Sequence, residues 1–219
     1  MKILVFGKSD IGDGISQLYP ETINVPKEEC DVRDENQIRK TINAYNPNVI
    51  VNCAGISHVQ IVKNSNIEHW KEEIDVNLIG SYLIARESIA TNMFRPMIFI
   101  ASVAGMYGKP EHSGYSASKS GVISFVQSLG LEGYFAYSIS PGRVDTKMRE
   151  KDYPGEDKRT RLTTLQVAEI VKECIEEKYE PGDNIIIRKR GFRKLKRVDQ
   201  GQPWKSYLNV QPLGTPKII

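Results

Sequence analysis

Tyr115 and Lys119 stand four residues apart in the segment YSASK. If the segment is helical, positions i and i+4 share one face, so the phenol and the ammonium reach the same space. A phenol with its ordinary pKa of about 10 is a weak acid–base group at neutral pH, and a nearby cation lowers that pKa. The pair therefore suits proton transfer with a substrate oxygen. Because the same spacing is common by chance, it needs support from other residues.

Ser102 and Asn77 are polar residues in positions that give this support. Ser102 follows the apolar run PMIFIA, and open α/β sheets bind ligands at the carboxyl ends of their strands. Its hydroxyl can hydrogen-bond a substrate oxygen, or it can satisfy its own turn. Asn77 interrupts a helical pattern, where asparagine is a weak former unless another contact holds it. The simpler alternative for Asn77 is an exposed helix face.

These four residues fall into a familiar order. The sequence Asn77, Ser102, Tyr115, Lys119 resembles the catalytic tetrad of the short-chain dehydrogenase/reductase family. Three other segments are collinear with motifs of that family: CDVRD (30–34) is similar to its Asp-Val pair, VNCAG (51–55) to its N-A-G segment and SPGRVDT (140–146) to its P-G-x-x-x-T segment. The resemblance extends to about residue 190.

The resemblance implies an NAD(P)-dependent oxidoreductase that interconverts a carbonyl and an alcohol on a small substrate. In such an enzyme Tyr115 is the general acid or base, and Lys119 lowers its pKa and holds the nicotinamide ribose. Ser102 orients the substrate oxygen, and Asn77 supports a water relay to Lys119. The alternative is a non-catalytic NAD(P)-sensing or binding protein on the same scaffold, against which the complete tetrad argues.

The resemblance also implies a cofactor site along the same sheet edge. Asn52, Ala54 and Gly55 would line the adenosine side, with Asp31 and Val32 beside the adenine. The full set of implied cofactor-binding residues is Gly7, Lys8, Ile11, Gly12, Asp31, Val32, Asn52, Ala54, Gly55, Tyr115, Lys119, Pro141, Gly142, Val144 and Thr146, of which Thr146 would reach the nicotinamide carboxamide. No metal is expected, because the three histidines show no metal-ligand spacing.

The glycine turn VFGKSDIG departs from the family pattern T-G-x-x-x-G-x-G. Gly7 and Gly12 are five positions apart rather than six, and the middle glycine is missing near Asp10. Gly7 still permits a tight turn, and Gly12 permits close packing of a helix on a strand. The helix N-terminus supplies free N–H groups to a phosphate, which Lys8 can also contact. Asp10 would repel a phosphate unless it points away or caps the helix, and we expect a working but non-standard turn.

The segment TINVPKEE (22–29) bears on the choice between NADP and NAD. An NAD site carries an acidic residue at the end of the second strand, which binds the ribose 2′-hydroxyl. Here the first charged residue after the strand is Lys27, and Lys8 is a second nearby cation. The sequence therefore favours NADP over NAD. If Glu28 faces the ribose instead, the preference inverts.

Apolar runs alternate with amphipathic helical patterns along the chain, which predicts an α/β fold with a doubly wound parallel sheet, Rossmann-like, in a single domain. Asp34 caps a helix through Tyr45, with Gln37 placed for a capping box. The predicted strands are 2–6, 22–25, 29–32, 48–55, 96–102, 135–140 and 184–188, and the other helices cover 67–92, 115–129 and a segment capped by Thr164. No helix fits between the second and third strands, where the family has one.

Composition sets the remaining limits. The 219 residues are 40% hydrophobic and lack a membrane-spanning run, and three scattered cysteines suit free thiols in a reducing cytoplasm. From Arg188 onward nine Lys or Arg stand against one acid, so we divide the chain into a cofactor-binding domain (1–191) and a basic C-terminal extension (192–219). A nucleic-acid partner for the extension has only charge in its favour, and a solvated segment is the simpler interpretation.

Two further expectations concern assembly and substrate access. The predicted helix that starts at Tyr115 is apolar on more than one face, which favours a homodimer or homotetramer. The charged segment 147–161 lies where relatives of the resembled family carry a mobile substrate lid. Its Lys, Arg, Asp and Glu content disfavours a very apolar substrate.

Overall fold

One seven-stranded sheet organises the computed structural model, which describes residues 1–92 and 95–189, and the backbone of 191–195. Its order is β2-β1-β3-β4-β5-β6-β7, with the first six strands parallel and β7 antiparallel to β6. The strands are β1 (Ile3–Phe6), β2 (Ile23–Val25), β3 (Val49–Asn52), β4 (Met97–Ile100), β5 (Ala136–Pro141), β6 (Asn184–Arg188) and β7 (Gly191–Leu195). The predicted α/β, doubly wound fold is confirmed.

Helices cover both faces of this sheet, because successive strand residues point to opposite sides. Ile3 and Val5 pack with Ile15 in one core, whereas Leu4 and Phe6 pack in a second core on the opposite face. The helices are α1 (Asp10–Leu18), α2 (Glu35–Tyr45), α3 (Ile67–Ile74), α4 (Gly80–Thr91), α5 (Ser113–Leu131), α6 (Lys147–Asp152) and α7 (Thr164–Ile175). A five-residue π-helical turn, Asp75–Ile79, joins α3 to α4.

The segment 29–32 is not a strand, so the prediction of one there was wrong. Glu29 and Cys30 donate their backbone N–H groups to the Pro26 carbonyl in a turn, and the chain then enters α2 directly. Cys30 and Val32 are buried by packing on the second core rather than by pairing in the sheet. The alternation of apolar and polar residues in this segment is therefore typical of a strand, although the segment forms a turn. Among the described residues no strand lies beyond β2, so β2 is the sheet edge and α2 carries the chain directly to β3 on the other side of β1.

Two helix starts differ in detail from the sequence prediction. Asp34 caps α2 as predicted, accepting from the backbone N–H groups of Asn36 and Gln37. The Gln37 side chain does not complete the box, because its Oε1 accepts from the Asp31 N–H instead. At α7 the cap is Thr163 rather than Thr164, with Gln166 completing a capping box.

The strand 184–188 is followed by one more strand, β7, which the sequence did not predict. Gly191–Leu195 extends the sheet past the boundary drawn at residue 191, and the division of the chain into domain and extension stays a prediction. Residues 196–219 lie outside the described part. Among the described residues, no helix is long and apolar enough to cross a membrane, and no cluster of His, Cys, Asp and Glu is arranged to hold a metal ion.

Candidate active site

A cavity of about 1420 Å³ opens at the carboxyl ends of the central strands. Ser102, Tyr115 and Lys119 all face it, although Ser102 comes from the loop after β4 and the other two come from α5. The other predicted residues that line it are Ile11, Gly55, Pro141, Gly142, Val144 and Thr146. Gly7, Lys8, Gly12, Asp31, Val32, Asn52, Ala54 and Asn77 are not among its lining residues.

The two retained glycines of the shortened turn are both required by the packing. Gly7 has φ +83°, and a Cβ atom there would lie 2.5 Å from the Ala54 Cα. A Cβ on Gly12 would lie 2.4 Å from the Asn24 Oδ1, where α1 crosses β2. The tight turn and the close helix–strand approach predicted for these positions are therefore present despite the missing middle glycine.

Asp10 does not cap α1. Ser9 is the cap, with its Oγ accepting from the Gly12 N–H at 3.2 Å, and Asp10 is the first helical residue. The Asp10 carboxylate instead accepts from the backbone N–H of Lys147 at 2.7 Å. It therefore ties the start of α1 to the start of α6, which is the first helix of the segment predicted to be a lid.

The phenol of Tyr115 lies in a partly buried position beside Ser102. Burial raises the pKa of Tyr115 to about 12, a hydrogen bond with Ser102 opposes this change, and the carboxylates of Asp152 and Glu73 add to it. The sequence predicted a lowered pKa from the neighbouring lysine. The structure gives the opposite direction, because desolvation of the phenolate is the largest effect.

Lys119 is buried under the cavity floor, where its Nζ donates to the Ile100 carbonyl at 2.8 Å. The same Nζ lies 5.7 Å from the centroid of the Tyr115 ring. Burial lowers the pKa of Lys119 to about 8. The ammonium thus lies near the Tyr115 ring and is held by the carbonyl of the last residue of β4.

Asn77 occupies the π-helical turn, and its side chain is fully buried rather than exposed. Its Oδ1 accepts from the Ile56 N–H at 2.8 Å, while its Nδ2 donates to the Ile56 carbonyl and to Ser118 Oγ, each at 3.0 Å. Ser118 in turn donates to the Tyr115 carbonyl. Asn77 therefore fixes the loop after β3 against α5, with both N–H groups of its amide donated to protein groups and its Oδ1 accepting from one.

Asn52 extends the same network toward β3. Its Nδ2 donates to Ser81 Oγ at 3.0 Å, and Ser81 donates to the Asn77 carbonyl at 2.6 Å. Its Oδ1 accepts from the Ala54 N–H, which shapes the turn that meets Gly7. Asn52 and Ala54 thus do not line the cavity, but they shape the backbone that leads to Gly55, which does.

The remaining predicted cofactor residues lie at the β2 edge. Asp31 forms a bidentate ion pair with Arg33, which holds the pKa of Asp31 at about 2. Val32 is buried, and a Cβ on Gly80 would lie 2.8 Å from its Cγ2. Lys8 is exposed on the turn.

Glu73, on α3, is a buried carboxylate beside the start of α5 that no sequence pattern predicted. Glu73 accepts from the His58 N–H at 2.7 Å and from the backbone of Tyr115. A carboxylate is favoured near a helix N-terminus by the helix dipole. A Cβ on Gly114 would lie 2.2 Å from the Glu73 Oε2, so the neighbouring glycine makes room for it. No sequence pattern distinguishes Glu73, because it is one of several charged residues in the same helix.

A second missed group connects Tyr115 to the lid segment. His112 is buried, its ring centroid lies 6.2 Å from that of Tyr115, and its Nε2 lies 3.0 Å from the Tyr153 hydroxyl. Tyr153 stacks on His112, and its ring also contacts Lys109 Nζ at 4.1 Å and the Arg149 guanidinium at 3.8 Å. The lid segment therefore meets the cavity through an aromatic pair surrounded by cations.

Arg161 holds the lid segment together from within. Its side chain is fully buried and forms ion pairs with Asp145 at 2.9 Å, Glu150 at 2.6 Å and Glu156 at 3.3 Å. Glu156 also pairs with Arg149 at 2.5 Å. Much of the charge from which the sequence disfavours a very apolar substrate is therefore paired within the protein.

Comparisons with known proteins agree with this architecture. The profile of the family described as short chain dehydrogenase matches residues 14–157, starting just after the glycine turn. The chain is 33% identical over 132 residues to the 3-oxoacyl-(acyl-carrier-protein) reductase MabA of Mycobacterium tuberculosis, a match that covers 55% of this chain and 53% of that protein. The chain thus spans about half the length of such relatives.

Solved structures share the fold at lower sequence identity. The chain is similar to a structure described as ElxO with NADP bound, with a TM-score of 0.71 and 19% identity over 85% of this chain and 96% of that one. It is also similar to 4-hydroxyisoleucine dehydrogenase complexed with NADH, with a TM-score of 0.74 and 20% identity over 87% and 99%. At these identities the likeness establishes the fold.

Proposed function

The chain belongs to the short-chain dehydrogenase/reductase family, and from this premise we propose that it is an NAD(P)-dependent oxidoreductase that interconverts a carbonyl and an alcohol. The observation that carries the proposal is the meeting of Ser102, Tyr115 and Lys119 in one cavity. These residues come from two separate elements, so their meeting is a property of the fold. The names of related proteins, reductases and dehydrogenases, support the same reaction class.

The residues beside the cavity fit a nicotinamide dinucleotide. A Cβ on Gly7 would fill the turn, and α1 begins at the cavity wall with free N–H groups that suit a pyrophosphate. Pro141, Gly142 and Val144 form a small-residue wall opposite, with Thr146 at the start of α6. When bound, the nicotinamide supplies or accepts the hydride. Related structures hold NADP or NADH, which supports the same cofactor class here.

Proton transfer is assigned to Tyr115. During reduction its hydroxyl donates a proton to the carbonyl oxygen, so the phenol O–H bond breaks and the alcohol O–H bond forms. Ser102 orients that oxygen and hydrogen-bonds the phenol, while the Lys119 ammonium stabilises the phenolate that remains. Because burial keeps Tyr115 protonated at neutral pH, reduction is the favoured direction there. Oxidation, which needs the phenolate, should rise with pH.

Asn77 acts as a positioning residue. Its amide is committed to Ile56 and Ser118, so any water relay to Lys119 would use its surroundings rather than its side chain. Removing the side chain would loosen α5 against the loop after β3, and would affect Tyr115 and Gly55 together. This role differs from that of a group that touches the substrate.

The test is hydride transfer followed by nicotinamide absorbance. Purified protein is mixed with NADPH or NADH and a panel of carbonyl compounds, and the reverse reaction is run with alcohols and the oxidised cofactors. We expect turnover with at least one pair. Tight binding of a reduced cofactor without a single turnover across the panel would favour the sensing alternative instead.

Homo-oligomerisation is part of the proposal. On α4 and α5 the side chains of Tyr82 and Leu131 are exposed, as is that of Ile79 just before α4, and Phe125 is partly buried between Tyr82 and Phe99. An apolar surface of this kind on two adjacent helices favours association. Light scattering at micromolar concentration should give the mass of a dimer or tetramer, and a monomer would contradict it.

A further inference from the structure

Six cations besides Lys119 line the cavity, and they differ in whether a carboxylate already neutralises them. Arg143 and Arg149 pair with Glu156, and Arg159 pairs with Asp157. The other three are Lys109, Arg188 and Lys189, which form no ion pair with any residue in the described part of the chain. Within the described residues, the cavity therefore presents three cations that no carboxylate pairs with directly.

Two of these three cations are held on aromatic rings. Lys109 Nζ lies 4.1 Å from the centroid of Tyr153, and the Arg188 guanidinium lies 5.4 Å from the centroid of Tyr107. Contact with a ring face orients a cation without cancelling its charge. Lys109 and Arg188 are thus positioned donors whose remaining hydrogens are available to a ligand.

The burial of Lys109 and the charged groups around it favour an additional negative charge beside its ammonium. Burial lowers the pKa of Lys109, and the guanidinium of Arg149 acts in the same direction, while Glu156 and Asp152 oppose the change only in part. The ammonium is therefore in a site where a further negative charge would be favourable. A bound anion would supply that charge.

The position of these cations separates them from the phosphates of the cofactor. Lys109 lies in the loop that follows β4, and Arg188 ends β6. The pyrophosphate site at the start of α1 follows β1, which is separated from β4 by β3. Lys109 instead connects through Tyr153 and His112 to Tyr115, the residue at the reacting oxygen.

We propose that the substrate carries a carboxylate or a phosphate, which is bound in the cavity by Lys109, on the ring of Tyr153, and by Arg188, on the ring of Tyr107. This inference rests on the proposed function for the identity of the reacting group. The anion site itself depends only on the two cations and their positions. A charge-assisted hydrogen bond of this kind contributes about 10-fold or more in affinity.

The test compares substrates that differ only in charge. The pairs are 3-oxobutanoate with its methyl ester, and dihydroxyacetone phosphate with dihydroxyacetone, so the two arms distinguish a carboxylate from a phosphate. We expect kcat/KM to be about 10-fold or more higher for the charged member of at least one pair. Lys109→Gln and Arg188→Gln should bring that ratio toward 1, and salt should reduce it.

Arg159→Gln is the matched control, because Arg159 lines the same cavity but is already paired with Asp157. It should leave the ratio unchanged. Equal kcat/KM for both members of both pairs, or a preference that survives in both glutamine variants, would overturn the proposal.

A binding measurement keeps this result separate from the proposed reaction. Inorganic phosphate and malonate are titrated calorimetrically into the protein loaded with NADP, in the wild type and in both variants. Binding that is lost in Lys109→Gln and Arg188→Gln supports the anion site even if no carbonyl compound is turned over. Absence of binding by both anions, together with turnover of neutral carbonyls, would reject the anion site and leave the proposed function standing.

Discussion

The glycine turn and the Tyr115 end of the cavity reach their structures by opposite means. The turn has lost a glycine, and among the described residues no strand lies beyond β2 beside it, yet Gly7 keeps its close contact with the Ala54 backbone and Gly12 its close contact with the Asn24 side chain. At the other end the tetrad residues are complete, but the protein surrounds them with Glu73, His112 and a lid tied by Arg161. The first region depends on the absence of side chains, and the second on added side chains.

This difference indicates how each region tolerates change. A turn set by backbone contact distance can lose a residue and keep its shape, as long as no Cβ enters the contact. A chemical site depends on a few atoms at defined positions, so additions around it alter its pKa values and its specificity. Substitutions in the two regions should therefore produce different kinds of loss.

The largest effect is expected for Tyr115→Phe. The ring still packs against His112, and only the hydroxyl that exchanges the proton is lost. General acid–base catalysis is typically worth about 10²–10⁴-fold, so kcat should fall by that factor while cofactor affinity stays within a few fold. Steady-state kinetics and cofactor fluorescence titration measure the two quantities. Near-normal turnover would remove Tyr115 from its assigned role.

Lys119→Met should reduce both turnover and cofactor affinity, and it should also remove a pH dependence of stability. Because burial lowers the folded-state pKa from 10.5 to about 8, the unfolded chain binds more protons between these values. The free energy of unfolding of the wild type should therefore rise with pH across this window, by about 3 kcal/mol at most. The methionine variant should lose this rise.

Urea unfolding at several pH values between 7.5 and 10.5 measures the difference between the two proteins. The raised pKa of Tyr115 lowers the free energy of unfolding as the pH rises above 10. Both proteins contain Tyr115, so subtracting one pH profile from the other removes much of this effect. The exposed Lys63→Met is the control and should keep the rise. An unchanged slope in Lys119→Met would show that the lysine is not desolvated.

Gly7→Ala tests whether contact distance sets the turn. The added Cβ would meet the Ala54 backbone at 2.5 Å in addition to the strain of a positive φ, so stability and cofactor affinity should both fall. Gly133→Ala is matched, because Gly133 has φ +91° but no atom within 4 Å of an added Cβ. It should cost only the conformational strain of about 1–2 kcal/mol. Equal losses of thermal stability would reject the contact argument.

Asp10→Ala cuts the connection between the two regions. Without its carboxylate the Lys147 N–H loses its partner, and loss of a helix-capping contact typically costs about 1 kcal/mol. We expect trypsin to cleave segment 147–161 faster. Asp13→Ala is the control, since Asp13 lies in the same first turn of α1 but is exposed. Similar cleavage rates in both variants would argue against the connection.

The smallest effect is expected for Lys27→Ala, which tests the preference for NADP. Lys27 and Glu28 are exposed on the turn after β2, while Glu29 accepts a hydrogen bond from the Tyr45 hydroxyl. We expect the variant to lose a few fold in NADPH affinity and little in NADH affinity, with Lys40→Ala unchanged. Tighter binding of NADH than NADPH by the wild type, with no effect of the substitution, would overturn the preference.

Local sequence signals were sufficient for most of the fold. Alternating apolar runs and helical patterns identified six strands, because a buried parallel strand must be apolar on both faces. The error at residues 29–32 arose where Cys30 and Val32 are buried without being paired in the sheet. A period of two reports burial and not hydrogen bonding. The final strand β7 contains Arg193 and Lys194, so its sequence shows no apolar run from which a strand could be predicted.

The sequence by itself determined the fold class, the family and the residues of the Asn–Ser–Tyr–Lys order, because each depends on short-range patterns. Only the tertiary structure decided the environment of those residues. Burial raises the pKa of Tyr115, Asn77 is committed to Ile56, and Asp10 contacts Lys147 across 137 positions. The buried contacts of Glu73 and His112, and the ring contacts of Lys109 and Arg188, likewise depend on elements far apart in the chain. Desolvation and charge pairing are set by neighbours in space, which no local pattern records.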